Sequence, residues 1–239
     1  MSDKMTGRLV GIGVGPGDHD LLTLRAIRTL STLDVVFVPQ ASLKKESLAW
    51  EIAREHIPED CRVETLLFPM TRSKSDLEEH WRRAAEPVAE RLMDGDDCGF
   101  LTLGDPMLYS TFIYLREAVG RLAIGAVFES IPGISAGSAA ASKLGLPLAC
   151  GDESIAYITG ERADRLEALV DEFDTIIVMK VGKRLADISE RLAALGLAEK
   201  TVLARNIGLE GESLGPLPKD GLGGRAGYMS TLIIRCGNE

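Results

Sequence analysis

Apolar positions along the chain fall into short unbroken runs separated by stretches with three- and four-residue spacing, the pattern of buried strands joined by helices. Leu9, Val10, Ile12 and Val14 make the first run, which ends among Gly11, Gly13, Gly15 and Gly17. It reads as a strand entering a glycine turn. Leu21, Leu22, Leu24, Ile27, Leu30 and Leu33 follow at helical spacing, with Asp18 or Asp20 placed to accept hydrogen bonds from the first free amides. Residues 34–38 are a second buried strand. A right-handed crossover sets two such strands in one parallel sheet with the glycine turn at their carboxyl edge.

The alternation continues to residue 141. Positions 44–57 carry Leu48, Ile52 and Ala53 on one helical face, and 61–68 form a third strand. Ser75 or Asp76 caps a helix whose apolar side holds Leu77, Trp81, Ala84, Val88 and Leu92, with a kink expected at Pro87 and Trp81 expected in the core. A fourth strand, 98–103, runs into Gly104-Asp105-Pro106, and a fifth, 127–131, into Pro132-Gly133-Ile134-Ser135-Ala136 and a run of small residues. Carboxyl ends of parallel strands form the ligand crevice of an open sheet, which puts Asp105 beside the first glycine turn. Taken alone, Asp105 serves equally well as a helix cap.

Beyond a turn at 144–148, strands are expected at 154–159, 175–180, 201–206 and 230–236, with helices at 164–173 and 185–195 and a Gly- and Pro-rich loop at 208–227. The fold class is therefore α/β, in two α/β domains that meet near the Pro132 turn. Residues 1–135 form a parallel domain and 136–239 a domain with a mixed sheet. The glycine turn is not a nucleotide fingerprint. Counting from Gly11 the sixth position is Pro16, and from Gly13 it is Asp18, so Gly-x-Gly-x-x-Gly fails in both frames. Close backbone approach to a ligand suits it better than a phosphate cradle.

Composition narrows the classes. With 239 residues, 45% of them hydrophobic, the chain has enough material for real cores. Its apolar runs stop well short of a membrane span, and MSDKMTGR lacks the apolar stretch of a signal peptide, so a soluble cytoplasmic protein is expected. Cys61, Cys98, Cys150 and Cys236 are scattered as in a reduced protein, and His19, His56 and His80 have no ligand spacing, so no metal is expected. The formal charge of −9 disfavours nucleic acid. It leaves room for a small anion at a local basic patch, because distant charge is screened within roughly 8 to 10 Å. Arg72, Lys74, Arg82 and Arg83 give the helix around Trp81 a positive cast that a solvated face explains as readily as a substrate patch.

GVGPGD followed by LLTLRA, LGDPMLYSTFIYL, IPGISAGSAA with LGLPL, VMK ending a strand, and a late GYMSTLII occur in that order over nearly the whole chain. Together they resemble the tetrapyrrole methylases, which use S-adenosylmethionine. Val38-Pro39, SLAWEIA, FPMT and Trp81-x-x-Ala84-Ala85 are most similar to the members that alkylate carbon 20 of precorrin-2 in corrinoid biosynthesis. Uroporphyrinogen methylases, also similar, carry an Asp where Pro39 stands, a departure that removes their proposed base. The resemblance implies a cofactor held in a cleft by Pro16, Leu103, Gly104, Asp105, Leu108, Ser135, Ala136, Met179, Ile207 and Ser230, and a homodimer. It implies release of S-adenosylhomocysteine. Asp105 and Tyr109 are the candidates to orient substrate or relay the proton lost from carbon 20, and Arg72, Lys74, Arg82, Arg83 and Lys143 the candidates for the eight carboxylates of the macrocycle. Three readings stay open: the carbon-20 enzyme, a methylase of another carbon, and a non-catalytic module that binds the cofactor or a nucleotide.

Overall fold

Five parallel strands scaffold the N-terminal unit, residues 1–135, of the computed structural model, which describes residues 6–41, 46–68, 74–218 and 229–237. They are β1 (Arg8–Gly13), β2 (Val35–Gln40), β3 (Arg62–Leu67), β4 (Cys98–Thr102) and β5 (Val127–Ile131), in the order β3-β2-β4-β1-β5. Four helices cover them: α1 (Leu24–Leu30), α2 (Leu48–Ala53), α3 (Lys74–Met93) and α4 (Phe112–Leu122). The two-residue period of a strand divides β1 between two cores. Val10, Ile12 and Val14 pack with Ala26 and Leu30 of α1 and Ile52 of α2, whereas Leu9 packs with Leu92 of α3 and Phe112 and Leu115 of α4. Gly11 faces that second core because there is no room for more: a Cβ there would come 2.4 Å from the Phe112 ring.

The chain leaving β1 crosses to β2 by way of α1, and the chain leaving β4 crosses to β5 by way of α4 on the opposite face. Adjacent strands whose connections part in this way open a crevice between them at their carboxyl ends. The crevice of this unit therefore lies where β1 and β4 end.

Several boundaries differ from the sequence expectation. Leu22 and Thr23 stay extended, so α1 starts late and is capped by Thr23, whose Oγ1 accepts from the Ala26 amide at 3.1 Å. Asp18 caps only the 3-10 turn His19–Leu21. Helix α3 already includes Lys74, which excludes Ser75 and Asp76 as caps, and it continues through Pro87 without a break. Proline in a helix interior removes one donor and crowds the preceding turn, yet the long apolar face of α3 outweighs that cost.

The second unit, residues 136–239, holds β6 (Ile155–Thr159), β7 (Thr175–Met179), β8 (Thr201–Arg205), β9 (Ser213–Pro216) and β10 (Ser230–Arg235). The order is β6-β7-β10-β8-β9, parallel only between β6 and β7. Its helices are α5 (Ala136–Leu144), α6 (Leu166–Leu169) and α7 (Leu185–Ala194). The expected helix at 164–173 is instead a 3-10 turn, Gly160–Arg165, followed by the single turn of α6. Strand β9 lies inside the segment read as loop. Ser-Leu-Gly-Pro carries turn formers, and an edge strand tolerates them.

Small residues in α5 serve packing here. A Cβ on Gly137 would sit 3.2 Å from Ile177 Cγ2, so the helix rides close on β7. At the other end of this sheet Arg235 Nη2 donates to Glu153 Oε1 at 2.9 Å, and Nη1 donates to Thr175 Oγ1 at 2.7 Å and to the Leu148 carbonyl at 3.1 Å. The Arg235 hydrogen bond, helped by the Cys150 amide, holds the Glu153 carboxyl below its ordinary range. A depressed carboxylate stabilises the fold above its unfolded pKa, about 4.3 for Glu, and that stabilisation is lost as pH falls through the lower folded value. Urea denaturation between pH 7 and 3 is expected to show less acid sensitivity in Glu153→Gln than in wild type, from a lower starting stability. Parallel curves for the two would refute the linkage.

Candidate functional site

Three loops meet backbone to backbone where β1, β4 and β5 end. The Val14 amide donates to the Thr102 carbonyl at 3.0 Å, and beyond it Gly15 and Gly104 form an antiparallel bridge, the Gly104 amide donating to the Gly15 carbonyl at 2.7 Å. Both bridge glycines lie in the left-handed region, φ 79° and 72°. The third loop enters through Gly133. A Cβ on Gly133 would lie 2.1 Å from the Gly104 carbonyl oxygen, and one on Gly13 would lie 2.5 Å from the Gly133 nitrogen. Side chains cannot be admitted at either place. Asp105 ties the contact, since its Oδ2 accepts from the Gly133 amide at 3.0 Å and its Oδ1 from the Met107 amide at 2.8 Å.

One side of this junction is open. A Cβ built on Gly104 meets no atom within 4 Å, although its neighbours Gly13 and Gly133 are tightly enclosed. Pro16, which follows Gly15, and Pro106, two residues past Gly104, are buried, Leu103, Gly104, Asp105 and Leu108 are half-buried, and Ser135 is buried at the end of the same unit. The result is a wall made largely of main chain, with room in front of it.

The segment from Leu103 to Thr111 is anchored by hydroxyls. Thr102 Oγ1 and Ser110 Oγ share a hydrogen bond of 2.8 Å in the buried interior, and Ser110 Oγ also accepts from the Phe112 amide at the start of α4. Between these anchors Tyr109 adopts φ 51°, which is unusual for a bulky residue, and its ring is 38% exposed. Partial burial raises its phenol pKa, so the hydroxyl keeps its proton at neutral pH.

In the second unit β10 runs antiparallel to β7 and β8, so both of those strands end at the edge where β10 begins. Lys180 and Asn206, just past those ends, have φ 54° and 49°. The Val181 amide donates to the Ser230 carbonyl and the Asn206 amide to the Met229 carbonyl. Met179, Ile207 and Ser230 thus share one sheet edge. Ala136 opens α5 in this unit.

The basic residues are engaged within the protein. Arg82 pairs with Glu79 and Glu86, and Arg83 with Glu79, whose carboxyl these two guanidinium groups hold at about 2. Lys143 Nζ donates to both oxygens of Glu212, which also accepts from the Gly208 amide. Arg72 lies outside the described residues, as does the side chain of Lys74. Trp81, expected in the core, is half-buried and stacks on Tyr114 with ring centroids 5.0 Å apart. Burial pushes the Cys98 thiol up to about 12 and removes it as a nucleophile. Among the described residues no helix is long and apolar enough to cross a membrane, and no cluster of three His, Cys, Asp or Glu could hold a metal ion.

Sequence reasoning missed three partners of this geometry: Gly133 as a packing contact, Glu212, and Tyr114. Only Tyr114 carried a signal, as an aromatic on the first turn of a helix leaving the fourth strand.

A model of the Tetrapyrrole (Corrin/Porphyrin) Methylases matches residues 8–218. The chain is 35% identical over 210 residues to a cobalt-precorrin-2 C(20)-methyltransferase of Salmonella typhimurium, covering 87% of each protein. It is 32% identical over 212 residues to a precorrin-2 C(20)-methyltransferase of Sinorhizobium sp, covering 84% of each. A crystal structure of a cobalt precorrin-4 methyltransferase superposes with a TM-score of 0.71 over 95% of this chain and 94% of that one, at 20% identity, a likeness of fold.

The contrast between neighbouring glycines is measurable. Gly104→Ala is expected to cost about 1–2 kcal/mol, the strain of a left-handed alanine. Gly133→Ala, which drives a methyl into a carbonyl that cannot step aside, is expected to cost about 3 kcal/mol or more. Urea denaturation of both variants decides it, and equal losses would contradict the packing described.

Proposed function

This chain belongs to the tetrapyrrole (corrin/porphyrin) methylases, and we propose that it transfers a methyl group from S-adenosylmethionine to carbon 20 of precorrin-2 or its cobalt-containing counterpart in cobalamin biosynthesis. We further propose that it acts in the cytoplasm as a homodimer. The observation that carries the reading is the main-chain wall at Gly104 with open space before it. It fits a donor recognised by peptide groups: backbone carbonyls and the Asp105 carboxylate suit a cation and a ribose, and no phosphate-binding loop is called for.

When bound, S-adenosylmethionine supplies an electrophilic methyl carried on a sulfonium, and no covalent protein nucleophile is needed. The work left to the protein is to align the two reactants and exclude water. Pro16, Leu103, Gly104, Asp105, Leu108, Ser135 and Ala136, with Met179, Ile207 and Ser230, are the proposed donor contacts. Asp105 spends one lone pair of each oxygen on the Met107 and Gly133 amides and keeps others to accept a hydrogen bond or the proton leaving carbon 20. Tyr109, whose raised phenol pKa keeps it protonated at neutral pH, is no base there but still has an O–H to donate, so its assigned role is to orient the macrocycle. Arg72, Lys74, Arg82, Arg83 and Lys143 are the proposed partners of the substrate carboxylates. Arg82, Arg83 and Lys143 take part only by exchanging their glutamate partners for those of the substrate.

The test is product analysis. Methyl-labelled donor is incubated with the full-length protein and either precorrin-2 or cobalt-precorrin-2, and the product is read by mass and NMR. One labelled methyl on carbon 20 is expected, with Arg72→Ala raising the KM for tetrapyrrole and leaving that for the donor unchanged. A label on another carbon would move the chain elsewhere in the family, and donor binding without turnover would make it a binding module.

Gly104→Ala gives an independent check. Calorimetry should find donor affinity at least about tenfold weaker, the effect of roughly 1.4 kcal/mol, because the methyl enters the open space before the wall. Unaltered affinity would place the donor somewhere else.

A further inference from the structure

Five aromatic rings run in unbroken contact from the interior of the N-terminal unit to solvent. Phe112 lies against Gly11 of β1, and Phe100 stacks on it with centroids 6.1 Å apart. Phe68 meets Phe100 edge-on at 5.9 Å, Trp81 packs on Phe68 at 5.1 Å, and Tyr114 stacks on Trp81 at 5.0 Å with the planes 26° apart. Phe112 and Phe100 are fully buried, Phe68 and Trp81 half-buried, and Tyr114 is 55% exposed. The core on this face closes with Phe68, so the last two rings extend outward from it.

Trp81 covers one face of the Tyr114 ring, and Tyr114 is nevertheless 55% exposed, so it is the outermost ring of the series. Tyr114 is two residues into α4, about 3 Å along the axis from Phe112, so the pair stands just past the loop from Leu103 to Thr111. The charges of α3 on either side of Trp81, Glu79, Arg82, Arg83 and Glu86, pair among themselves and cancel. What the surface offers is a ring face, which favours a flat, π-rich ligand.

We propose that Tyr114, backed by Trp81, is a stacking platform that holds the flat macrocycle of the tetrapyrrole beside the methyl-transfer site. The proposal rests on the methylase reading and deepens it: face contact fixes the plane of the ring and leaves the carboxylates free at its rim. Tyr114 is the residue that touches the substrate and Trp81, which acts through it, is a positioning residue; neither is required to exchange a proton.

The test uses the full-length protein and two ligands. Uroporphyrin, a planar octacarboxylate, is titrated by the shift of its Soret band, and donor binding is followed by calorimetry. Tyr114→Ala is expected to weaken uroporphyrin binding and raise the KM for precorrin-2 about tenfold, the size of one ring contact, with kcat and donor affinity unchanged. Tyr114→Phe, which keeps the ring, is expected to behave as wild type. Undiminished uroporphyrin binding by Tyr114→Ala would overturn the platform. So would a change in sedimenting mass at unchanged uroporphyrin affinity, which assigns the face to contact between copies, or a joint loss of both ligands with a lowered melting temperature, which assigns the ring to packing. A wild-type protein that binds uroporphyrin through Tyr114 yet fails to methylate precorrin-2 would refute the methylase reading and leave the platform standing.

Discussion

The arrangement of the N-terminal unit depends on main chain touching main chain. Gly13, Gly104 and Gly133 come from the ends of three different strands; Gly13 and Gly133 leave no room for a methyl group, and Gly104 puts its carbonyl against Gly133 while its own Cα side stays open. Asp105 then accepts hydrogen bonds from the Gly133 and Met107 amides, one on each carboxylate oxygen. Peptide groups brought together like this form a rigid surface with donors and acceptors fixed in place. A ligand meeting such a surface has little side-chain entropy to freeze out, which is the sense in which a site is preorganised.

The second unit reaches a similar end with a different sheet. Its antiparallel β10 brings the ends of β7 and β8 and its own start to one edge, and two non-glycine residues there, Lys180 and Asn206, adopt left-handed conformations. Left-handed backbone at a non-glycine residue is held only when the neighbouring structure fixes it, here through the Val181 and Asn206 amides bonded to Ser230 and Met229. Each unit thus presents an edge where backbone geometry, more than charge, is specified. Methyl transfer from a sulfonium has little use for a charged catalytic cluster, and the ion pairs Arg82–Glu86, Arg191–Glu167 and Arg235–Glu153 lie instead on helix surfaces and at a sheet end.

Much of this was legible in the residues, for reasons that can be named. The buried strands of the first unit read clearly because both faces are covered, which leaves continuous apolar runs such as Val35 to Val38. The glycine turns read clearly because few other functions need so many. What failed were short elements whose local composition argues against them: β9, made of Ser, Leu, Gly and Pro, and the single turn of α6. The late start of α1 was hidden because Leu21 and Leu22 continue a helical spacing that the backbone does not follow. Partners distant in sequence were out of reach altogether. Nothing local in Glu212 announces Lys143, and nothing in Gly133 announces the carbonyl of Gly104.

The position of β10 carries one more implication. The parallel sheet has all its strands once residue 131 has been made, so the N-terminal unit can fold during synthesis, as domains commonly do. The other sheet has as its middle member β10, the last of its five strands in chain order. Until residues 230–235 emerge from the ribosome, β7 and β8 have no neighbour on their inner sides. A stop codon ahead of residue 230 would therefore remove the centre of that sheet and not its margin, leaving two exposed strand edges liable to aggregate.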